Sequence, residues 1–256
     1  MRFLVLFTGL VLFGCQTVAE RPAQSAIYSD KTKFNLGDRA SSVWLSEKFD
    51  GSHTRQIIGD ELEFSLSQSH REGGLDFGLA DPNFKARPVS KIPDTLSFCS
   101  SYDINFSGAG RWWAGPKISV NWQGIESAKG NGDDWYENYI IDVASTSPQE
   151  LHDILTDDYF DAEVLDDTFI AGSNYKHYKI RYQDWWQFWS VRQDYRPTGT
   201  LPIQPILNVW SANGLPTDRA FDGIKANIET YGEMSGEGRF RIDIATEPDA
   251  ELDCAF

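Results

Sequence analysis

The feature that most constrains this chain is its punctuation. Runs rich in Val, Ile, Thr and aromatic residues are cut repeatedly by turn-forming clusters such as Gly108-Ala109-Gly110, Gly130-Asn131-Gly132, Arg196-Pro197-Thr198-Gly199 and Gly214-Leu215-Pro216. β-Branched and aromatic side chains suit a pleated, half-buried surface, and Gly, Pro and Asn supply the backbone geometry of turns. The runs read as strands over Ser42–Phe49, Gln56–Leu66, Leu96–Phe106, Lys117–Trp122, Trp135–Ala144, Tyr175–Arg181, Trp185–Tyr195, Ile206–Ser211, Ile224–Tyr231 and Gly238–Ile244. One stretch, Ser147–Asp157, reads as a helix, because Pro148 suits a first helical position and the Ser147 hydroxyl can cap the amides that follow. Regular short strands with a single short helix predict an all-β chain, a two-sheet β-jelly roll or sandwich.

At 256 residues the chain suits one large all-β domain or two small ones. Hydrophobic residues at 41% can fill a core, and no linker, repeat or low-complexity block interrupts residues 34–256, so one domain is expected there. Aromatics reach 14%, with nine Trp. Flat rings stack on sugar faces in carbohydrate clefts, but they also fill sandwich cores, and composition alone favours the core. The net charge of -15 repels phosphate backbones and polyuronates, which argues against a nucleic-acid partner and leaves a neutral polymer unaffected. The same acidity can serve solubility alone. His53, His70, His152 and His177 show no close-spaced ligand motif, no cysteine pair has zinc spacing and there is no Gly-x-Ser-x-Gly elbow. No metal or other cofactor is expected.

The N-terminus reads as a targeting segment. Met1-Arg2 is a minimal basic start and Phe3 to Phe13 an apolar run too short to span a bilayer, so residues 1–14 form a signal peptide. Leu12-Phe13-Gly14-Cys15 resembles a bacterial lipobox with Cys15 as the lipidated residue, although Phe13 is bulky for its position. Residues 15–33, polar and containing Pro22, then serve as a lipidated tether. Ordinary cleavage after Ala19, at Thr17-Val18-Ala19, is the alternative. The lipoprotein reading is favoured, with membrane attachment through Cys15 at the bacterial outer membrane or cell surface; the alternative leaves a secreted or periplasmic protein. Cys99 and Cys254 remain. In an oxidising compartment they either pair, tying the C-terminal tail to a mid-chain strand, or stay as free buried thiols.

Side chains alternate across a strand, which splits each run into two faces. Trp135, Glu137, Tyr139, Ile141 and Val143 share one face, so Glu137 stands between two aromatic rings. A strand Glu is usually just solvated, and its aromatic company raises the functional reading without settling it. Lys225, Asn227, Glu229 and Tyr231 share the polar face of a strand whose other face is Ile224, Ala226 and Ile228, a pattern that any one-sided antiparallel strand shows. Trp185–Arg192 differs: Gln187 and Trp189 lie on one face and Trp186 and Phe188 on the other, so both faces need a cover. A core can cover one; a ligand cleft is a natural cover for the second.

The string Trp186-Gln187-Phe188-Trp189-Ser190-Val191-Arg192 resembles the Tyr-Gln-Tyr-Trp-Ser-Val-Arg strand of glycoside hydrolase family 11 xylanases. Ile118-Ser119-Val120-Asn121-Trp122, Tyr136-Glu137-Asn138-Tyr139-Ile140-Ile141, Asn208-Val209-Trp210 and Asn227-Ile228-Glu229-Thr230-Tyr231 are similar to further segments of that family and stand in its order. The matching motifs cover roughly residues 117–244. The resemblance implies a jelly roll with a cleft on its concave sheet, Glu137 as nucleophile and Glu229 as acid/base. It implies Tyr139, Arg181, Gln187 and Trp189 as substrate-binding residues, and Trp135 and Tyr231, which flank the two carboxyls on their own faces, are expected to bind substrate with them. Repulsion from Glu137 is expected to hold the pKa of Glu229 up. The activity so implied is that of a retaining endo-β-glycosidase on a neutral β-linked polysaccharide, xylan-type favoured. Between Arg181 and Trp186 only Tyr182, Gln183, Asp184 and Trp185 stand where the family has its thumb hairpin, so the cleft is expected to be open there. A non-catalytic glycan-binding lipoprotein, or a β-glucanase or other cleft enzyme on the same fold, is the alternative.

Overall fold

The computed structural model describes residues 28–34, 37–45, 51–58, 61–69, 72–79, 87–121, 135–182, 185–246 and the single residues 252, 254 and 256. The expected signal peptide and Cys15 lie outside the described residues. Strands β1 (Tyr28–Phe34), β2 (Gly37–Leu45), β3 (Gly51–Ile58), β4 (Glu61–Gln68), β5 (Glu72–Leu79) and β6 (Arg87–Pro88) come first. β7 (Ser97–Ser107), β8 (Arg111–Asn121), β9 (Trp135–Ile141) and β10 (Val143–Ala144) lead into helix α1 (Pro148–Leu155). β11 (Glu163–Val164), β12 (Thr168–Ile170), β13 (Ser173–Tyr182), β14 (Trp185–Arg192) and β15 (Thr198–Pro202) precede helix α2 (Ile203–Ala212), and β16 (Ala220–Tyr231) and β17 (Met234–Ala245) follow.

These strands form the two sheets of a β-jelly roll. The larger runs β1-β2-β5-β16-β8-β9-β14-β13-β11, with β6, β10 and β12 attached to its members; the smaller runs β15-β7-β17-β4-β3. Alternation decides the packing. Leu62, Phe64, Phe98, Tyr102, Phe240 and Ile242 point inward from the small sheet and meet Phe77, Ile118, Val120, Ile140, Phe188, Ile224 and Ile228 of the large one. The opposite face of the large sheet carries a second apolar cluster. There Trp113, Tyr139, Ile141, Tyr178, Ile180, Trp189 and Val191 pack with Leu151 and Leu155 of α1. Helix α1 starts as the sequence requires: the Ser147 hydroxyl accepts from the Glu150 amide, the Glu150 carboxylate accepts from the Ser147 amide, and Pro148 opens the first turn. Cys99 on β7 and Cys254 form a disulfide across a separation of 155 residues.

Three expectations are corrected. The large sheet begins at Tyr28, inside the stretch that composition assigns to a tether ending at residue 33. The single run Gln56–Leu66 is two strands, paired antiparallel with Ile58 opposite Glu61. The run Ile206–Ser211 is helical, so the described fold has two helices rather than one. Ile203, Ile206, Leu207 and Trp210 recur at helical spacing and all four are buried, which turns one apolar stripe of α2 onto the core.

Candidate active site

The outer face of the large sheet gathers the polar residues. β8 lies at its centre, with β16 on one side and β9 on the other. Lys117 stands opposite Tyr139 of β9, and Trp113 opposite Glu229 of β16; beyond β16, Asp76 of β5 stands opposite Asn227. Gly115 shares this face, where no larger residue fits: a Cβ there would fall 1.8 Å from the Ile140 carbonyl oxygen of the neighbouring strand β9.

Tyr139 joins the two carboxyls. Its hydroxyl donates to Glu137 Oε2 at 2.9 Å and also hydrogen-bonds with Glu229. Tyr231 supplies a second hydroxyl, 3.1 Å from Glu229 Oε2. The environments of the two acids differ. The Glu137 side chain is 39% exposed and meets the Lys117 ammonium at 3.3 Å, whereas Glu229 is 3% exposed. Burial pushes the Glu229 carboxyl up to about 7; the Lys117 charge and the Tyr139 hydrogen bond restrain the rise, and Glu137 adds to it. Burial is thus the larger cause, where repulsion from Glu137 was the expected one.

Lys117 is a fully buried lysine with two carboxylates, Asp76 at 2.8 Å and Glu137 at 3.3 Å. Burial opposes its charge, but Asp76 and Glu137 outweigh that and hold its pKa above the usual lysine range. Asp76 accepts from Asn227 Nδ2 at 2.8 Å and lies 3.7 Å from Lys225. Burial opposes its ionisation too, and the two lysines reverse the balance, so its pKa is lowered.

The aromatic residues pack beside this polar group. Trp113 lies 4.6 Å from Tyr231 and 5.4 Å from Trp189 between ring centroids, and Trp189 lies 4.8 Å from Tyr139. Trp189 Nε1 donates to Gln187 Oε1 at 3.2 Å. Glu137, Glu229, Tyr139, Tyr231, Gln187 and Trp189 therefore come together on one face, as expected. Trp189 and Gln187 are nevertheless 2% and 8% exposed. The second cover of β14 is an apolar cluster with α1 in it, not an open groove.

Arg181 does not join them. It stands opposite Trp186, one residue out of phase with the Ile180–Gln187 pair, so it lies on the other face of the sheet. Trp135 pairs with Asn121 at the start of β9, and its side chain lies outside the described residues. β13 and β14 close with Tyr182 opposite Trp185, leaving room for no inserted hairpin. Sequence reasoning missed Trp113, Lys117 and Asp76 as site residues. Alternation against Ile118 and Val120 places the first two on the outer face, but Gly115-Pro116 hid the first half of β8; nothing local connects Asp76 with Lys117.

A two-sheet jelly roll with a carboxyl pair on the outer face of its large sheet is the class these coordinates define. Solved structures share the fold. The family 11 xylanase from Neocallimastix patriciarum superposes with a TM-score of 0.59 at 17% identity, over 85% of this chain and 94% of that one. An ENZbleach xylanase variant gives 0.62 at 17% identity, over 89% of each chain. No protein-family model and no curated protein matches the chain. At such identities the likeness is one of fold.

Proposed function

We propose that the chain hydrolyses a neutral β-linked polysaccharide, with xylan the first candidate, by double displacement on Glu137 and Glu229. The observation that carries this reading is the Tyr139 hydroxyl, in contact with a half-exposed carboxylate and with a buried carboxyl whose pKa lies near neutrality. Retaining hydrolysis needs the carboxyls about 5–5.5 Å apart and inversion about 6.5–9.5 Å, and retention is the course proposed here. In the first step a Glu137 oxygen bonds to the anomeric carbon as the glycosidic C–O bond breaks, and Glu229 gives its proton to the departing oxygen. In the second, Glu229 takes a proton from water, the water oxygen bonds to the same carbon, and the ester electrons return to Glu137.

The burial of Trp189, Gln187 and Glu229 favours a second reading, a glycan-binding protein without turnover. A panel of β-glycans with reducing-end detection separates the two. Hydrolysis by the wild type, lost in both Glu137→Gln and Glu229→Gln while their folding cooperativity is kept, is the expected outcome. Binding without new reducing ends establishes the second reading. As part of the same proposal the protein works outside the cytoplasm on a lipid carried by Cys15; an unmodified N-terminus beginning at Glu20, found by mass spectrometry, refutes the anchor.

A further inference from the structure

We propose that Lys117 is the positioning residue of the carboxyl pair: its ammonium, fixed between Asp76 and Glu137, sets the charge against which Glu229 gains and loses its proton. The inference rests on the functional reading of Glu137 and Glu229 given above. Lys117 is 1% exposed and sits on the strand between those that carry the two acids. A buried ammonium is tolerated only when paired, and here the pairing extends beyond Glu137 to Asp76, which Asn227 and Lys225 hold from β16.

Among the described residues, the charged and titratable groups that face the pair are Asp76 from β5, Lys117 from β8, Glu137 and Tyr139 from β9, and Lys225, Glu229 and Tyr231 from β16. With Glu229 protonated, two carboxylates face two ammonium groups and the site is neutral. Deprotonating Glu229 leaves one negative charge in a buried place, which is the state that must activate water. Without Lys117 the site is already negative before Glu229 ionises, so the acid holds its proton more tightly. Lys117 acts on Glu137 as well. When the ester intermediate breaks, the C–O electron pair returns to Glu137, and the ammonium 3.3 Å away balances that charge.

The test is a carboxyl-carbon NMR titration of the folded, glutamate-labelled chain, with the Glu229 signal assigned by its loss in Glu229→Gln. Lys117→Met, which leaves the site one charge more negative, should raise the Glu229 midpoint by at least about one pH unit, and adding Asp76→Asn, which restores the wild-type charge balance, should reverse most of that rise. Lys117→Arg should leave the midpoint within a few tenths. The pH profile of hydrolysis should follow, its alkaline limb moving up in step. A wild-type midpoint in Lys117→Met overturns the proposal, as does an equal rise in the double variant, and so does the failure of both to fold, since Lys117 is then a structural clamp. A shifted midpoint without hydrolysis by any form sinks the glycosidase reading alone; hydrolysis with an unshifted midpoint sinks the role of Lys117 alone.

Discussion

Replacing Glu229 by Gln should make the protein more stable, and by an amount that depends on pH. The carboxyl has a pKa of about 7 in the fold against 4.5 for the free side chain, chiefly because it is buried. The folded value is the raised one, so between pH 4.5 and about 7 the folded chain keeps a proton that the unfolded chain has released. Its favourable contribution is complete below pH 4.5 and is lost as the pH rises through about 7. At about 1.4 kcal/mol per pH unit, a difference of about 2.5 units corresponds to about 3 kcal/mol. The amide of Gln does not titrate. Urea unfolding of wild type and Glu229→Gln at pH 4.5 and pH 8 should therefore show the variant gaining about 3 kcal/mol between the two conditions, or about 6–12 °C in Tm for a domain of this size. An advantage equal at the two pH values, within about 0.5 kcal/mol, would mean that no raised carboxyl exists at this position. The same substitution should abolish hydrolysis, which makes the stability gain and the loss of activity one electrostatic fact.

His177 should impose the opposite slope. It is fully buried between Ser190 Oγ and Thr168 Oγ1, each at 2.7 Å, and burial lowers its pKa from 6.5 to about 4; here the unfolded chain protonates first, so stability falls as the pH drops through that window. His177→Gln should flatten the fall by about 3 kcal/mol, read as the difference between the two proteins at pH 7 and pH 4; parallel curves refute it. Leu151→Ala, which removes one of the two buried side chains of α1, should lower the unfolding free energy by about 2–5 kcal/mol in urea unfolding, and an unchanged value refutes the packing of α1 in the outer cluster. Reducing Cys99–Cys254 should lower stability by about 2–4 kcal/mol, and an unchanged urea midpoint in reductant refutes a structural role for the bond.

Much of the site was legible because alternation along a strand is local. The period of two by itself places Glu137 with Tyr139, Glu229 with Tyr231 and Gln187 with Trp189, and each pair lies on one face in the structure. The start of α1 was equally legible, since Ser147, Pro148 and Glu150 form their cap within four residues. Arg181 was misplaced for a reason equally local. Its side of β13 follows from the register with β14, which sets it opposite Trp186 and so on the other face from Gln187. α2 was missed because Ile, Val and Trp suit strands by propensity, and only burial against the core selects their helical spacing.

From its sequence alone the chain is bound to form alternating strands, with two carboxyls each beside an aromatic neighbour on its own face, because those properties depend on residues within a few positions of one another. Tertiary structure alone decides that β16 and β9 flank β8, that Asp76 meets Lys117, and that α1 packs into the apolar cluster on the outer face. Strand order and the closing of long loops bring those groups together. The energies that matter at the site, burial of Glu229 and pairing of Lys117, arise only after that closure excludes water.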